Sequence, residues 1–167
     1  MFLLRDSRFE STAPKELMQV KEIMTRDVEI ARRETLLTSA AERTRERDIG
    51  MLPVWDGDQL VGVLTDRDIT VRAIANNLQP ELARCQHVMT SNVVFCFEDQ
   101  EMTEAGRIMQ DHKIRRLPVV NRQRRLVGII SIGDIALGTG DTTLAGVSVQ
   151  EISAPDAPKP LPVQKRE

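Results

Sequence analysis

A hydroxyl residue followed three positions later by aspartate occurs twice in the chain, as Thr65-x-x-Asp68 and as Ser131-x-x-Asp134. In both places an apolar run typical of a strand ends and a helix is expected to begin. The start of a helix offers N–H groups and the positive end of its dipole to a phosphate, and a carboxylate beside it suits the vicinal hydroxyls of a ribose. Together they indicate a nucleotide site. Each pair taken alone is equally well explained as a capping box that stabilises the helix.

A basic stretch in the second half of the chain could supply charge for a phosphate. Arg115 and Arg116 stand just before Pro118, and more cationic residues surround them in the sequence. The net charge of the whole chain is -2, so this stretch favours a small anion over a DNA duplex. The alternative for both arginines is a solvated end of a strand.

The sequence contains no set of residues that indicates catalysis. It has no nucleophile paired with a base, no pattern of metal ligands and no glycine-rich phosphate loop. Cys85 and Cys96 are too few for a disulfide framework, and His87 and His112 have no visible partner. We therefore expect a protein that is not an enzyme, with no catalytic residue and no metal.

The two hydroxyl and aspartate pairs belong to a longer duplication. Met24-Thr25 is repeated 65 residues later as Met89-Thr90, and Pro53 is repeated, also 65 residues later, as Pro118. From Gly62 to Gly128 the offset is 66, which places a one-residue insertion in the turn between. A glycine inside a strand indicates a bulge or the close approach of another group, and tight packing of the two halves is the alternative.

Each copy predicts the element order β-α-β-β-α. The expected strands are 28–31 and 93–97, the expected helices are 35–47 and 100–112, and hairpins follow around 55–59 and 121–125. The final helices should begin at Asp66 and Ile132. Two repeats are too few for a solenoid, so we expect an α/β (α+β) fold with pseudo-twofold symmetry, packed through its sheets and with clefts between the halves. The predicted boundaries are a lead-in over 1–19, repeats over 20–78 and 79–138, and a flexible proline-rich tail over 139–167.

Composition sets further expectations. The chain has 167 residues, of which 41% are apolar, 29% charged and only 3% aromatic. So few aromatics argue against a stacking platform for nucleic acid. No apolar run is long enough to span a membrane and no secretion signal is present, so we expect a cytoplasmic protein without a membrane partner.

The repeated motifs resemble a tandem pair of cystathionine-β-synthase-type (CBS) domains, also known as a Bateman module. The resemblance covers about 20–137 and rests on the Met-Thr opening, the apolar-Pro-Val strand and the Gly-x-x-Thr/Ser-x-x-Asp ending of both copies. It implies a regulatory pair that binds AMP, ADP or ATP, with S-adenosylmethionine or NADH as further possibilities, and that signals to a partner protein not identified by the sequence. The alternative is a structural dimerisation module with vestigial clefts and no ligand.

The resemblance also assigns residues to two clefts. In the first, Thr65 would bind phosphate and Asp68 ribose, with support from Asn92, Val93, Val94, Arg115, Arg116 and Arg67. The second would use Ser131 and Asp134 with Asp27, Val28, Gly50 and Met51. Since Gly50 and Met51 stand where the first cleft has Arg115 and Arg116, we expect phosphorylated nucleotide to bind more tightly in the first.

We expect a homodimer, because CBS pairs usually bury the apolar faces of their outer helices by stacking. The residues expected on these faces are Leu36, Ala40, Ile69, Ile74 and Ile135.

Overall fold

The computed structural model describes residues 18–139 and, beyond them, Gly146 and Gln150. The first repeat contains β1 (Ala31–Arg32), α1 (Leu37–Arg47), β2 (Met51–Asp56), β3 (Gln59–Thr65) and α2 (Asp66–Ala75). The second contains β4 (Cys96–Phe97), α3 (Met102–Asp111), β5 (Arg116–Val120), β6 (Leu126–Ser131) and α4 (Ile132–Thr139). The predicted order β-α-β-β-α is therefore confirmed in both copies. Almost all of the predicted lead-in and tail lies outside the described residues.

Each repeat forms a three-stranded sheet with its middle strand in the centre. Strand β2 pairs in parallel with β1 and antiparallel with β3, and β5 does the same with β4 and β6. The extra residue of the second copy lies in its hairpin, as predicted, because Trp55 pairs with Leu60 whereas Val120 pairs with Leu126. In the tighter first hairpin Gly57 has a φ of 60°, a conformation that suits glycine.

The first strand of each repeat is shorter than the sequence indicates. The apolar runs predicted strands over 28–31 and 93–97, but only Ala31–Arg32 and Cys96–Phe97 pair with a neighbour. The residues before these short strands line depressions between the two halves. An apolar run can be buried by lining such a depression as well as by joining a sheet, so its composition did not reveal where the pairing starts.

The segment that opens each repeat pairs with the sheet of the other repeat. Thr25 exchanges two backbone hydrogen bonds of 2.9 Å with Ile129 on β6, and Thr90 exchanges bonds of 2.9 and 3.0 Å with Val63 on β3. The side chains follow the backbone: Val20 and Met24 lie in the core of the second repeat, while Ala83, Cys85 and Val88 lie in the core of the first. The units that pack together therefore differ from the repeats read along the chain.

The strand glycines allow this exchange. A Cβ atom on Gly62 would lie 2.7 Å from Sδ of Met89 and 3.2 Å from the carbonyl oxygen of Thr90. On Gly128 it would lie 2.6 Å from Sδ of Met24 and 2.9 Å from the carbonyl oxygen of Thr25. The close approach expected at these glycines is thus the approach of the exchanged Met-Thr segment.

No helix of the described part of the chain is long and apolar enough to cross a membrane.

Replacing Gly128 by alanine should lower the free energy of unfolding by about 1–3 kcal/mol, because the new methyl group overlaps a backbone oxygen that cannot rotate away. Gly62→Ala should cost less, since its nearest backbone oxygen is farther away. Gly133→Ala is the control: its Cβ would meet only Oγ of Ser131, at 3.5 Å, and alanine favours the helix. Urea unfolding of the three variants measures this order, and equal stability of Gly128→Ala and wild type would contradict it.

Candidate functional site

Both hydroxyl and aspartate pairs form complete capping boxes. The N–H and the hydroxyl of Thr65 donate to Oδ2 of Asp68 at 3.0 and 2.7 Å, and the N–H of Asp68 donates to Oγ1 of Thr65 at 3.0 Å. The N–H and hydroxyl of Ser131 donate to Oδ2 of Asp134 at 2.7 and 2.8 Å, and the N–H of Asp134 donates to Oγ of Ser131 at 3.2 Å. The capping interpretation therefore holds at both sites, and it leaves Oδ1 of each aspartate to other partners.

The second oxygen of Asp68 is held by an arginine. Nη2 of Arg72 lies 3.2 Å from Oδ1 of Asp68 and donates to Oγ1 of Thr90 at 3.1 Å, while Nη1 donates to the carbonyl oxygen of Val88 at 2.6 Å. The Asp68 side chain is only 14% exposed, so this ion pair is partly shielded from water. Arg72 thus connects the carboxylate of one repeat to the exchanged segment of the other.

The equivalent position in the second repeat is Gly138, which has no side chain to offer Asp134. A Cβ atom at Gly138 would lie 2.8 Å from Cγ2 of Ile23, so the exchanged segment packs where the arginine would stand. The two aspartates have the same caps but different surroundings.

The Thr65 cleft, as we name the depression around Thr65 and Asp68, has a volume of about 620 Å³. It contains seven of the residues predicted for it, which are Thr65, Arg67, Asp68, Asn92, Val94, Arg115 and Arg116. Val93, the eighth, lines another depression, between the two hairpins, together with Phe95 and Arg124. Sequence reasoning did not assign Lys113, Asp66 or Thr90 to the cleft, yet all three line it.

The Ser131 cleft, around Ser131 and Asp134, has a volume of about 410 Å³. All six residues predicted for it lie on its walls, namely Asp27, Val28, Gly50, Met51, Ser131 and Asp134. Glu29, Arg47 and Asp48 also line it and were not predicted. Both volumes fall in the range of about 300–1,000 Å³ that is usual for small-molecule sites.

A single arginine stands between the two clefts. Arg116 lines both, and Nη1 and Cζ of its guanidinium lie 3.0 and 3.3 Å from where a Cβ on Gly50 would be. Gly50 and Met51 also line both clefts. The prediction assigned Arg116 to the Thr65 cleft and Gly50 to the other, whereas in the structure both residues border both.

A comparison of the two repeats in the sequence could have identified two of the missed residues. Asp48 directly follows α1, and Lys113, 65 residues later, lies in the turn after α3. Each of the two residues has a φ of 51°. Because both precede segments already assigned to the clefts, aligning the repeats position by position would have placed them there. Arg47 gave no such signal, since a charged residue in the last turn of a helix is usually solvated.

The two thiols are unsuited to chemistry in the clefts. Cys85 and Cys96 are buried, with side chains in the two separate cores. Desolvation by burial raises the pKa of the Cys85 thiol to about 11 and that of the Cys96 thiol to about 12, so both are protonated at neutral pH. Among the described residues, no group of three or more His, Cys, Asp and Glu is placed to hold a metal ion.

Comparison with known proteins identifies the architecture. The family model of the CBS domain matches the chain twice, over residues 20–73 and 85–137. The chain belongs to the CBS domain family. The CBS pair is 37% identical over 117 residues to hypoxic response protein 1 of Mycobacterium tuberculosis, an alignment that spans 70% of this chain and 81% of that protein.

Solved CBS structures share the fold. The CBS domain pair of protein MJ0100, crystallised with 5′-methylthioadenosine and S-adenosyl-L-methionine, superposes with a TM-score of 0.67 at 30% identity and covers 74% of this chain and 97% of that one. Hypoxic Response Protein I, crystallised with two coordinated zinc ions, superposes with a TM-score of 0.65 at 35% identity and covers 72% and 98%.

Arg72→Ala should lower the free energy of unfolding by about 1–2 kcal/mol, because it leaves the Asp68 carboxylate and the Val88 carbonyl without their shared partner. The side chain of Arg72 is 43% exposed, so water replaces part of what is lost. Arg67→Ala removes an exposed guanidinium from the same helix and should change stability by less than about 0.5 kcal/mol. Urea unfolding compares the two variants, and a loss below about 0.5 kcal/mol for Arg72→Ala would show that the Arg72 contacts add little to stability.

Proposed function

We propose that this CBS pair is a regulatory module, not an enzyme, that binds an adenosine ligand such as AMP, ADP or ATP and transmits its occupancy to a partner protein. The observation that carries the proposal is the pair of equivalent clefts, each with a hydroxyl and an aspartate at the start of a helix and with the other repeat as its opposite wall. A ligand in either cleft would touch both repeats and stabilise one arrangement of them.

In the Thr65 cleft, cationic side chains are the groups suited to a phosphate. The N–H groups of Arg67 and Asp68 at the start of α2 already donate to the side chains of Asp66 and Thr65. Charge-assisted contacts from Arg115, Arg116 and Arg67 would therefore hold the phosphate. This assignment differs from the expectation that Thr65 and the helix N–H groups bind it.

Asp68 is the group suited to the ribose. Its Oδ1 faces Arg72, and a ribose hydroxyl would share or replace that contact. Val94 and Asn92 line the same cleft and would contact the base. The relative MJ0100, which was crystallised with two adenosine compounds, supports an adenosine ligand for this chain.

Asp68→Ala should weaken adenosine-ligand binding by roughly 1–3 kcal/mol, since the ribose would lose its acceptor. Asp58→Ala, the same change in the exposed turn between β2 and β3, is the matched control and should bind as wild type does. Isothermal titration calorimetry with AMP and ATP on folded proteins measures the difference. Unchanged affinity in Asp68→Ala would place the ribose contact elsewhere.

The alternative function is a structural dimerisation module without a ligand. It is favoured by the capping boxes, because both oxygens of Asp68 and the hydroxyl of Thr65 already have partners within the chain. A thermal-shift screen against AMP, ADP, ATP, NADH and S-adenosylmethionine separates the two functions, because a ligand of the folded state must raise the melting temperature.

We also propose a homodimer, formed through apolar side chains of the outer helices. Val71 and Ile74 on α2 are 49% and 74% exposed, and Leu137 on α4 is 86% exposed. Two of the residues expected on this face belong elsewhere: Ala40 and Ile135 are fully buried within the protomer. Their helical spacing was correct for an apolar face, but that face packs on the core of its own repeat.

Ile74→Asp should shift the mass in light scattering from dimer toward monomer, because a charge would be buried in the interface. Gln79→Asp, an exposed position just beyond α2, is the control and should remain dimeric. A monomer mass for the wild type across micromolar concentrations would end the dimer proposal. We also propose a cytoplasmic location, because two cysteines without a disulfide pattern are typical of proteins in a reducing compartment.

A further inference from the structure

The walls of the two clefts differ in charge at positions that the duplication makes equivalent. Three acidic residues of the Ser131 cleft stand where the Thr65 cleft has neutral or basic ones. The equivalent pairs are Asp27 with Asn92, Glu29 with Val94, and Asp48 with Lys113. Every one of these differences makes the Ser131 cleft the more acidic of the two.

The charge balance of the two complete linings differs in the same direction. The Ser131 cleft is lined by four carboxylates and two guanidinium groups, the Thr65 cleft by two carboxylates and four cationic side chains. Of the two guanidinium groups in the Ser131 cleft, Arg47 lies 3.8 and 3.7 Å from the carboxylates of Asp27 and Glu29, and Glu29 is also 3.6 Å from Nη1 of Arg43. The other is Arg116, which the Thr65 cleft shares.

A phosphate carries nearly two negative charges at neutral pH, so the Thr65 cleft attracts it and the Ser131 cleft repels it. The ribose contact is affected differently. Asp134 has Gly138 where Asp68 has Arg72, and its contacts with Ser131 use only Oδ2. The acidic cleft thus keeps the aspartate suited to a ribose while its walls disfavour a phosphate.

We propose that the two clefts sort adenosine ligands by charge. The Thr65 cleft takes a phosphorylated adenosine nucleotide, and the Ser131 cleft takes an adenosine compound whose 5′ substituent is uncharged or cationic. The inference rests on the proposed adenosine-binding function and adds which ligand class each cleft selects.

The test measures each cleft separately in the full chain by calorimetry. Asp68→Ala weakens the Thr65 cleft and leaves the Ser131 cleft to be measured, and Asp134→Ala does the reverse. AMP, 5′-methylthioadenosine and S-adenosylmethionine are the probes. The Asp68→Ala protein should bind 5′-methylthioadenosine and S-adenosylmethionine at least about tenfold more tightly than AMP, and the Asp134→Ala protein should prefer AMP by a similar factor. If an alanine variant does not fold, the Asn variant, which keeps an acceptor for the cap, replaces it.

Exchanging the wall residues tests whether charge is the cause. In the Asp68→Ala background, Glu29→Val with Asp48→Lys gives the Ser131 cleft the residues of the Thr65 cleft at these two positions. Lys113 has the same φ of 51° as Asp48, so the backbone accepts the exchange. AMP should then bind about tenfold more tightly, with little change for 5′-methylthioadenosine. Lys113→Asp in the Asp134→Ala background should weaken AMP by a similar factor.

The outcomes separate the two proposals. If the Asp68→Ala protein binds AMP as tightly as 5′-methylthioadenosine, or if the wall exchange leaves AMP binding unchanged, sorting by charge is wrong while adenosine binding stands. If the wild type binds none of the three probes and neither ADP nor ATP, the proposed function fails, and the sorting fails with it. The sorting is also wrong if the wild type prefers AMP to 5′-methylthioadenosine and the Asp68→Ala and Asp134→Ala proteins both lose that preference to the same extent.

Discussion

The reciprocal pairing of the two Met-Thr segments is the constraint on which the rest of the structure depends. Each sheet has only three strands, and one of its two edges is β3 in the first sheet and β6 in the second. Thr90 pairs with the edge strand of one sheet and Thr25 with the edge strand of the other, each through a single bridge, so each repeat covers part of an edge of its neighbour. The apolar residues that accompany these segments complete the opposite cores. Neither repeat therefore has a complete core by itself.

The clefts are a consequence of this exchange. After Thr25 and Thr90 the chain must cross from one half to the other before it reaches β1 and β4. The crossing residues, among them Asp27 and Asn92, form one wall of each cleft, and the start of α2 or α4 lies opposite. Because the walls come from both halves, the shape of each cleft depends on how the halves sit against each other, and a ligand there would be sensitive to the same arrangement.

The helix-capping pairs and the wall residues of the clefts have different roles. The hydroxyl and aspartate pairs cap helices and are retained in both copies with nearly the same geometry. The wall residues Asp48 and Lys113 are exposed and lie outside both cores, so their charge can differ at little cost to packing, whereas Val94, the equivalent of Glu29, packs against the core of the second repeat. The two clefts thus share one architecture while their walls differ in charge.

The sequence by itself determined the duplication, the order of elements, the helix starts at Asp66 and Ile132 and most of the residues around the clefts. These features follow from local patterns: hydrophobic periodicity, capping residues and turn residues act over a few positions and repeat at a fixed offset. Only the tertiary structure decided that the opening segments exchange, that Arg72 donates to Val88 and Thr90 of the other repeat while Ile23 packs against Gly138, and that Arg116 borders both clefts. These are contacts between residues far apart along the chain. A local pattern does not specify such a distant partner, because an apolar residue can be buried, and a charged residue can be paired or solvated, in several places.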